Sequence, residues 1–181
     1  MEIDNDIFGC LSPIEGSLIS YFAGKCDFGM VNIGCYKGRS LKYMLDGIHS
    51  FKRPEIYSID IKIRDECKLV DRYNQVIFLQ GFSNDAKIIH QIGKVDFVFI
   101  DGGHSYDECL EDLNNYWNKL VSGGIIMVHD YYETGDGILH NLGVSKACNE
   151  FYEIHKNEFV PDDWNCSPIH RVDSSWIVQR K

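Results

Sequence analysis

Apolar runs of strand length that stop abruptly at an aspartate constrain this chain more than any other feature. Residues 97–113 read FVFIDGGHSYDECLEDL and residues 125–133 read IIMVHDYYE, and the apolar runs end at Asp101 and, past His129, at Asp130. A run without polar alternation is how a strand buried on both faces reads, and such strands belong to parallel sheets covered by helices on either side. The polar residue that closes the run stands at the carboxyl edge of the sheet, outside which open α/β sheets bind their ligands. Two adjacent strands of this kind place two carboxylates, with His104 and His129 beside them, on the rim of one crevice.

Strand-like and helix-like segments alternate through the first 150 residues. The pattern predicts strands near 29–34, 55–61, 75–80, 95–101 and 125–130, with helices near 38–48, 64–70, 84–92 and 106–120 between them. Ser12-Pro13 caps and opens an earlier helix that runs to about Lys25. Ser105-x-x-Glu108 is a capping box at the start of the 106–120 helix. Ser122-Gly123-Gly124 is expected to end that helix and return the chain to the sheet. Beyond Asp130 a polar loop leads to a helix near 144–155. Two shorter strands follow, near 158–160 and 174–179, close enough to pair as an antiparallel hairpin. A parallel sheet with right-handed crossovers and a terminal hairpin is the economical topology. With no repeat or linker, residues 1–181 read as one domain, residues 1–12 being an N-terminal extension.

Charge excludes some functions. A formal net charge of −9 argues against nucleic acid or an anionic membrane as partner, since both require clustered Lys and Arg. No apolar stretch approaches the ~20 residues of a membrane span. The acidic start, MEIDNDIFGC, lacks the order of a secretory signal. None of the seven cysteines falls at CxxC spacing, so a cytoplasmic protein with reduced thiols is expected.

The strand ends carry the chemistry. Gly34-Cys35-Tyr36-Lys37-Gly38-Arg39-Ser40 joins the first strand to a helix, and its glycines let a ligand approach the backbone and the helix start. Asp60 closes the second strand, where an acid accepts hydrogen bonds from a ribose diol. The turn reads GxxxG, whereas a dinucleotide site would read GxGxxG. Gln80-Gly81-Phe82-Ser83-Asn84 ends the third strand, where Phe82 could flank a flat base or Ser83 or Asn84 could cap a helix. Asp101 and Asp130 repel each other unless a proton or cation lies between them. With His129 or His104 as a third donor they suit a hard divalent ion such as Mg²⁺. His104, presented by a GGH turn, is also a candidate general base. His129 precedes Asp130 on a strand, so the two side chains should point to opposite faces unless the strand ends there. The acidic run Asp107–Asp112 reads as a solvated helix face.

Together these motifs resemble the class I S-adenosylmethionine-dependent methyltransferases, and among them methyltransferase family 24, near the macrocin and rhamnosyl O-methyltransferases. The likeness runs from about Glu15 to the C-terminus. VNIGCYKGRS matches the cofactor glycine loop, YSIDI the ribose-acid strand, QGFSND the adenine-side turn and GVSKACNEF the helix after the fifth strand. The block FIDGGHSYDECLEDLNNYWNKLVSGGIIMVHDYYE, from the fourth to the fifth strand, is the most specific part. The resemblance implies an α/β, Rossmann-like seven-stranded sheet of order 3-2-1-4-5-7-6, the seventh strand antiparallel and helices on both faces. It implies S-adenosyl-L-methionine held by Asn32, Gly34, Tyr36, Gly38, Ser40 and Asp60 on one side. On the other stand Ile61, Gly81, Phe82, Ser83, Asp101 and His104. His104, Asp101 and Asp130 would be catalytic, Asp101, Asp130 and His129 would take a metal ion, and the acceptor would be a small hydroxylated molecule such as a sugar or natural product. Tyr131, Tyr132 and the 133–142 loop would form the acceptor side and a lid, and a second copy of the chain could help close the crevice. Asn32 stands where the family commonly carries an acid, and His129-Asp130 stand where its metal-dependent relatives often show two consecutive acids. An NAD(P)-dependent oxidoreductase on a related sheet and a non-catalytic cofactor-binding subunit are the alternatives.

Overall fold

The strand-length runs form one sheet, and the segments between them form the helices that cover it. The computed structural model describes residues 11–48, 54–71, 74–132, 142–160 and 169–181. In chain order the elements are α1 (Pro13–Ala23), β1 (Gly29–Ile33), α2 (Arg39–Gly47), β2 (Glu55–Asp60), α3 (Asp65–Leu69), β3 (Val76–Gln80) and α4 (Ala86–Gln91). Then come β4 (Val95–Ile100), α5 (Tyr106–Trp117), β5 (Leu120–Val128), α6 (Gly143–His155), a 3₁₀ turn (Lys156–Glu158), β6 (Ile169–Val172) and β7 (Ser175–Gln179). The sheet order is β3-β2-β1-β4-β5-β7-β6, with β7 antiparallel to both of its neighbours. This is the order implied by the resemblance.

Side-chain alternation divides the interior into two cores. Val31, Ile33, Val98, Ile100, Ile126 and Val128 pack with residues of α4, α5 and α6. Met30, Phe97, Phe99 and Met127 pack with residues of α1, α2 and α3 on the other face. The chain runs outward from β1 through β2 to β3, then returns to β4 beside β1. That reversal opens a crevice at the carboxyl ends of β1 and β4, the place such sheets reserve for ligands.

Two expectations fail. The strand anticipated near 158–160 is absent: Lys156–Glu158 form the 3₁₀ turn, and Phe159 makes a single bridge to Arg180. The hairpin partner of β7 is β6, joined to it through Asp173, whose φ of +52° lies in the left-handed region. No Asn-Gly or Asp-Gly pair announces that turn, so the sequence conceals it. Ser122-Gly123-Gly124 does not end a helix either. α5 stops at Trp117, and the glycines lie inside β5 beside a register shift in the β4 pairing. Gly123 has a φ of +81°, and a side chain on Gly124 would sit 3.1 Å from the Asp96 carbonyl oxygen. The glycines therefore serve a bulge. The N-terminal extension up to residue 10, His140 and the lid segment 133–141 lie outside the described residues. The five cysteines among the described residues are buried.

Candidate active site

The crevice begins where two strand ends touch. Gly34 leaves β1 with a φ of +81°, and a Cβ there would lie 1.9 Å from the Asp101 carbonyl oxygen. Only glycine permits that approach. Asp101 in turn donates its amide to the Ile33 carbonyl at 2.9 Å. Asp60 braces the same loop: its Oδ2 accepts from the amides of Cys35 (3.0 Å) and Tyr36 (2.9 Å), and its Oδ1 from Lys62 (2.9 Å).

A cavity of about 590 Å³ extends from this junction, a size suited to a nucleoside-sized ligand. Of the residues expected to hold the cofactor, Gly34, Tyr36, Asp60, Ile61, Gly81, Phe82, Ser83 and Asp101 line it, and Asn32, Gly38, Ser40 and His104 do not. Asn32 fails for a geometric reason. It alternates with Ile33, which does face the cavity, so its side chain lies on the other side of the sheet and donates to Ser58 Oγ at 3.3 Å. Gly38 and Ser40 sit at the start of α2, where Gly38 adopts a φ of +93° against Cys67. Ile61 and Phe82 are 65% and 68% exposed, large apolar side chains in the cavity lining. Among the described residues, five carboxylates, those of Asp60, Asp101, Glu108, Glu111 and Asp112, line the cavity, and no lysine or arginine does.

Glu108, Glu111 and Asp112 are the residues that sequence reasoning missed. Asp112 is not on a solvated face. It is 2% exposed and shares the buried face of α5 with Cys109, Leu113 and Tyr116. An acid inside a stripe of apolar residues at helical spacing was the available signal.

The second half of the site stands beside Asp101. Asp130 takes a φ of +61° just after β5 ends, which breaks strand alternation and turns both His129 and Asp130 toward Asp101. His104 Nε2 lies 3.2 Å from Asp130 Oδ2 and 3.7 Å from Asp101 Oδ1. The Asp101 contact holds the His104 imidazole above its usual pKa, against the effect of burial, and Asp130 adds to it. His129 is 3% exposed. Its Nε2 lies 3.2 Å from Ser174 Oγ and 3.6 Å from Glu15 Oε2, and its Nδ1 lies 3.3 Å from one oxygen each of Asp101 and Asp130. Burial opposes a charge on this ring, yet Asp101, Asp130 and Glu15 together carry its pKa up to about 12. Nδ1 nevertheless makes no hydrogen bond of good alignment, so its attraction to the two acids is Coulombic. Tyr132 donates to Asp130 Oδ1 at 3.1 Å from the outer side.

Asp101, His104 and Asp130 offer donor atoms that all lie within 4.8 Å of one another, a spacing one divalent ion can span. His129, expected as the third ligand, is displaced from that role by His104. It stands behind the two carboxylates, in contact with α1 through Glu15. Two carboxylates and an imidazole within that span form a donor set that suits a hard divalent ion.

Residues 31–131, more than half of the chain, match the model of methyltransferase family 24, a methyltransferase domain, and the protein belongs to that family. An uncharacterised protein of Acanthamoeba polyphaga mimivirus is 26% identical over 144 residues, covering 72% of this chain and 65% of its own. The chain thus spans slightly under two thirds of that relative. Among solved structures, the S-adenosylhomocysteine-bound methyltransferase PaMTH1 of Podospora anserina superposes with a TM-score of 0.71 at 16% identity, covering 95% of this chain and 80% of its own. The O-methyltransferase NovP gives 0.68 at 16% identity, with coverages of 91% and 78%. MycE of the mycinamycin pathway, in complex with Mg, S-adenosylhomocysteine and mycinamycin VI, gives 0.65 at 20% identity; it covers 96% of this chain, which spans half of MycE. These likenesses establish the fold.

Proposed function

We propose that this protein transfers the methyl group of S-adenosylmethionine to an oxygen of a small hydroxylated acceptor such as a sugar or natural product. The observation that carries the reading is the cavity. Gly34, Gly102 and Gly103 line it together with Asp101, which stands 3.7 Å from His104, and Asp60, Ile61, Gly81 and Phe82 line it too, Asp60 being available to a ribose diol. Five acids in the cavity lining, with no lysine or arginine among the described residues there, suit a ligand rich in donors and cationic at its sulfonium and ammonium. They would repel the pyrophosphate of a nicotinamide dinucleotide, which counts against the oxidoreductase. The ligands of PaMTH1, NovP's O-methyltransferase activity and the complex of MycE support the same reading.

Methyl transfer to an alcohol is an in-line displacement in which the new O–C bond forms as the S–C bond breaks, and the hydroxyl proton must leave. Positioning supplies much of the acceleration. His104 takes the proton, and Asp101 and Asp130, 3.7 and 3.2 Å away, stabilise the imidazolium that results. Asp101 and Asp130 would also hold a divalent ion such as Mg²⁺, which when bound would acidify the acceptor hydroxyl. Tyr131 and Tyr132, at the exit of β5, form the acceptor side, and Tyr132 holds Asp130 in place. Calorimetry with S-adenosylhomocysteine tests the reading. Saturable 1:1 binding that is lost in Asp101→Ala is expected, and heat no greater than dilution would overturn it. Transfer of labelled methyl to a panel of hydroxylated acceptors, with and without EDTA, then tests the oxygen and the metal separately.

A further inference from the structure

Two cysteines meet beneath the cofactor loop, and the proposed reaction uses neither. Cys35 stands in the turn from Gly34 to Gly38, and its amide is one of the two that Asp60 Oδ2 holds. Cys67 is the buried residue of α3. The two elements meet without slack, since a Cβ on Gly38 would lie 3.1 Å from the Cys67 Cα. Both side chains belong to the core on the α1, α2 and α3 side of the sheet, at 2% and 0% exposure. Their sulfurs share a hydrogen bond, Cys67 donating to Cys35, and the Ser58 hydroxyl stands beside the pair. Those two contacts hold the Cys35 thiol below its usual pKa, against burial and Asp60, while the shared bond and burial push Cys67 up. Cys35 is therefore the readier nucleophile, and Cys67 is placed to resolve what forms on it.

The turn links this pair to the cavity. Gly34 and Tyr36, the residues on either side of Cys35, both line it. The backbone is left-handed at Gly34, Tyr36 and Gly38, with φ of +81°, +43° and +93°. Tyr36 is not a glycine, so its conformation costs about 1 kcal/mol or more. The bonds from Asp60 to the Cys35 and Tyr36 amides offset that cost and keep the turn in shape. A displacement of Cys35 loosens those bonds and moves the cavity wall.

We propose that Cys35 and Cys67 are an oxidation site, which hydrogen peroxide converts to a disulfide, and that the cross-linked protein binds its cofactor more weakly. The second half rests on the S-adenosylmethionine reading above. The Cys35 thiolate attacks one peroxide oxygen and the O–O bond breaks. A sulfenic acid forms on Cys35, and the departing hydroxide takes up the proton that Cys35 gave up, leaving as water. The Cys67 sulfur then attacks the Cys35 sulfur, the S–O bond breaks, and hydroxide leaves with the Cys67 proton as a second water. The two thiols lose two electrons and the peroxide gains them. A disulfide holds its sulfurs about 2 Å apart, closer than two hydrogen-bonded sulfurs stand. Gly38 already touches Cys67, so the turn cannot follow as a rigid body, and Cys35 shifts against Asp60 instead.

The test treats the ligand-free wild-type chain with hydrogen peroxide and reads a non-reducing digest by mass spectrometry. Calorimetry with S-adenosylhomocysteine then compares the reduced, the oxidised and the dithiothreitol-treated protein. A peptide cross-linked through Cys35 and Cys67 is expected, with binding roughly 5- to 150-fold weaker after oxidation and restored by dithiothreitol. Coupling of this kind is reciprocal. In a dithiothreitol redox buffer, saturating S-adenosylhomocysteine should therefore shift the pair toward the thiols by the same factor. In Cys67→Ala, peroxide should leave a sulfenic acid on Cys35 that dimedone traps. Absence of the cross-linked peptide overturns the proposal, and so does a cross-link that leaves the affinity unchanged. A reduced chain that binds no S-adenosylhomocysteine overturns the cofactor reading and the loss of affinity with it. That failure is told apart because the disulfide is read from mass alone.

Discussion

Two buried carboxylates, on opposite faces of the same sheet, meet opposite fates. Glu15, on the α1 face, accepts from the Ser12 amide at 2.9 Å, from Ser174 Oγ at 3.0 Å and from Ser175 Oγ at 2.7 Å, and it faces the His129 ring. Burial works against its charge, but His129, Ser12 and Ser175 outweigh burial and hold its pKa down at about 2. Asp112, on the α5 face, has Ser83 for a donor and two acids for company, and burial carries it up to about 6. Their exposures are nearly the same, 1% and 2%. The donors set them apart, and so does the deeper burial of the Asp112 carboxyl itself. An acid surrounded by donors is a strut between α1 and the β6–β7 turn, whereas an acid short of them holds its proton to higher pH.

The strongest way to break this contrast is to remove the strut. Glu15→Ala strips His129 of one of its three acids and leaves the Ser174 and Ser175 hydroxyls without their acceptor. A loss of roughly 3–5 kcal/mol is expected from breaking a buried charged contact. Denaturant unfolding measures it, and a loss below about 1 kcal/mol would mean that α1 is not tied to the site in this way. Asp112→Asn should act in the other direction. The folded pKa of about 6 exceeds the ordinary 3.8, so the native state binds the proton more tightly than the unfolded chain. The contribution of Asp112 to stability is then greatest below about pH 4 and declines as pH rises through about 6. Asp112→Asn lacks that decline. The ligand-free variant should be on the order of 2–3 kcal/mol more stable than wild type at pH 8 and no different near pH 4.

Neither acid was legible for what it is, although the site around them largely was. Asp101 and Asp130 stood out because buried strands admit few polar residues, so the place where an apolar run stops is visible in one dimension. The glycine loop and Asp60 were legible for the same reason. Glu15 read as ordinary helix sequence, because its partners Ser174 and Ser175 lie 159 and 160 residues away. His129 could be assigned to a face only by knowing that Asp130 takes a φ of +61°. Asp112 was lost by reading the acidic run as one face, when helical periodicity divides it: Asp107, Glu108 and Glu111 fall outside the buried set, and Asp112 falls within it.

The smallest expected effects probe the donors themselves. Ser175 is fully buried and gives Glu15 its shortest bond, so Ser175→Ala should cost about 1 kcal/mol, by a similar amount across neutral pH. Ser83→Ala should look different. Removing that hydroxyl takes away the one contact that favours the ionised form of Asp112, so its folded pKa rises further above the ordinary value. The proton is then held to higher pH. The cost of the substitution should be close to zero near pH 4, where Asp112 is protonated in both proteins, and reach less than about 1 kcal/mol at pH 8. Thermal transitions of the two ligand-free variants, followed from pH 4 to 8, separate the cases. A pH-independent loss in Ser175→Ala beside a loss in Ser83→Ala that grows with pH keeps the two acids distinct in kind. Parallel curves would mean that Glu15 and Asp112 differ only in degree, and that Asp112 is a buried acid like any other.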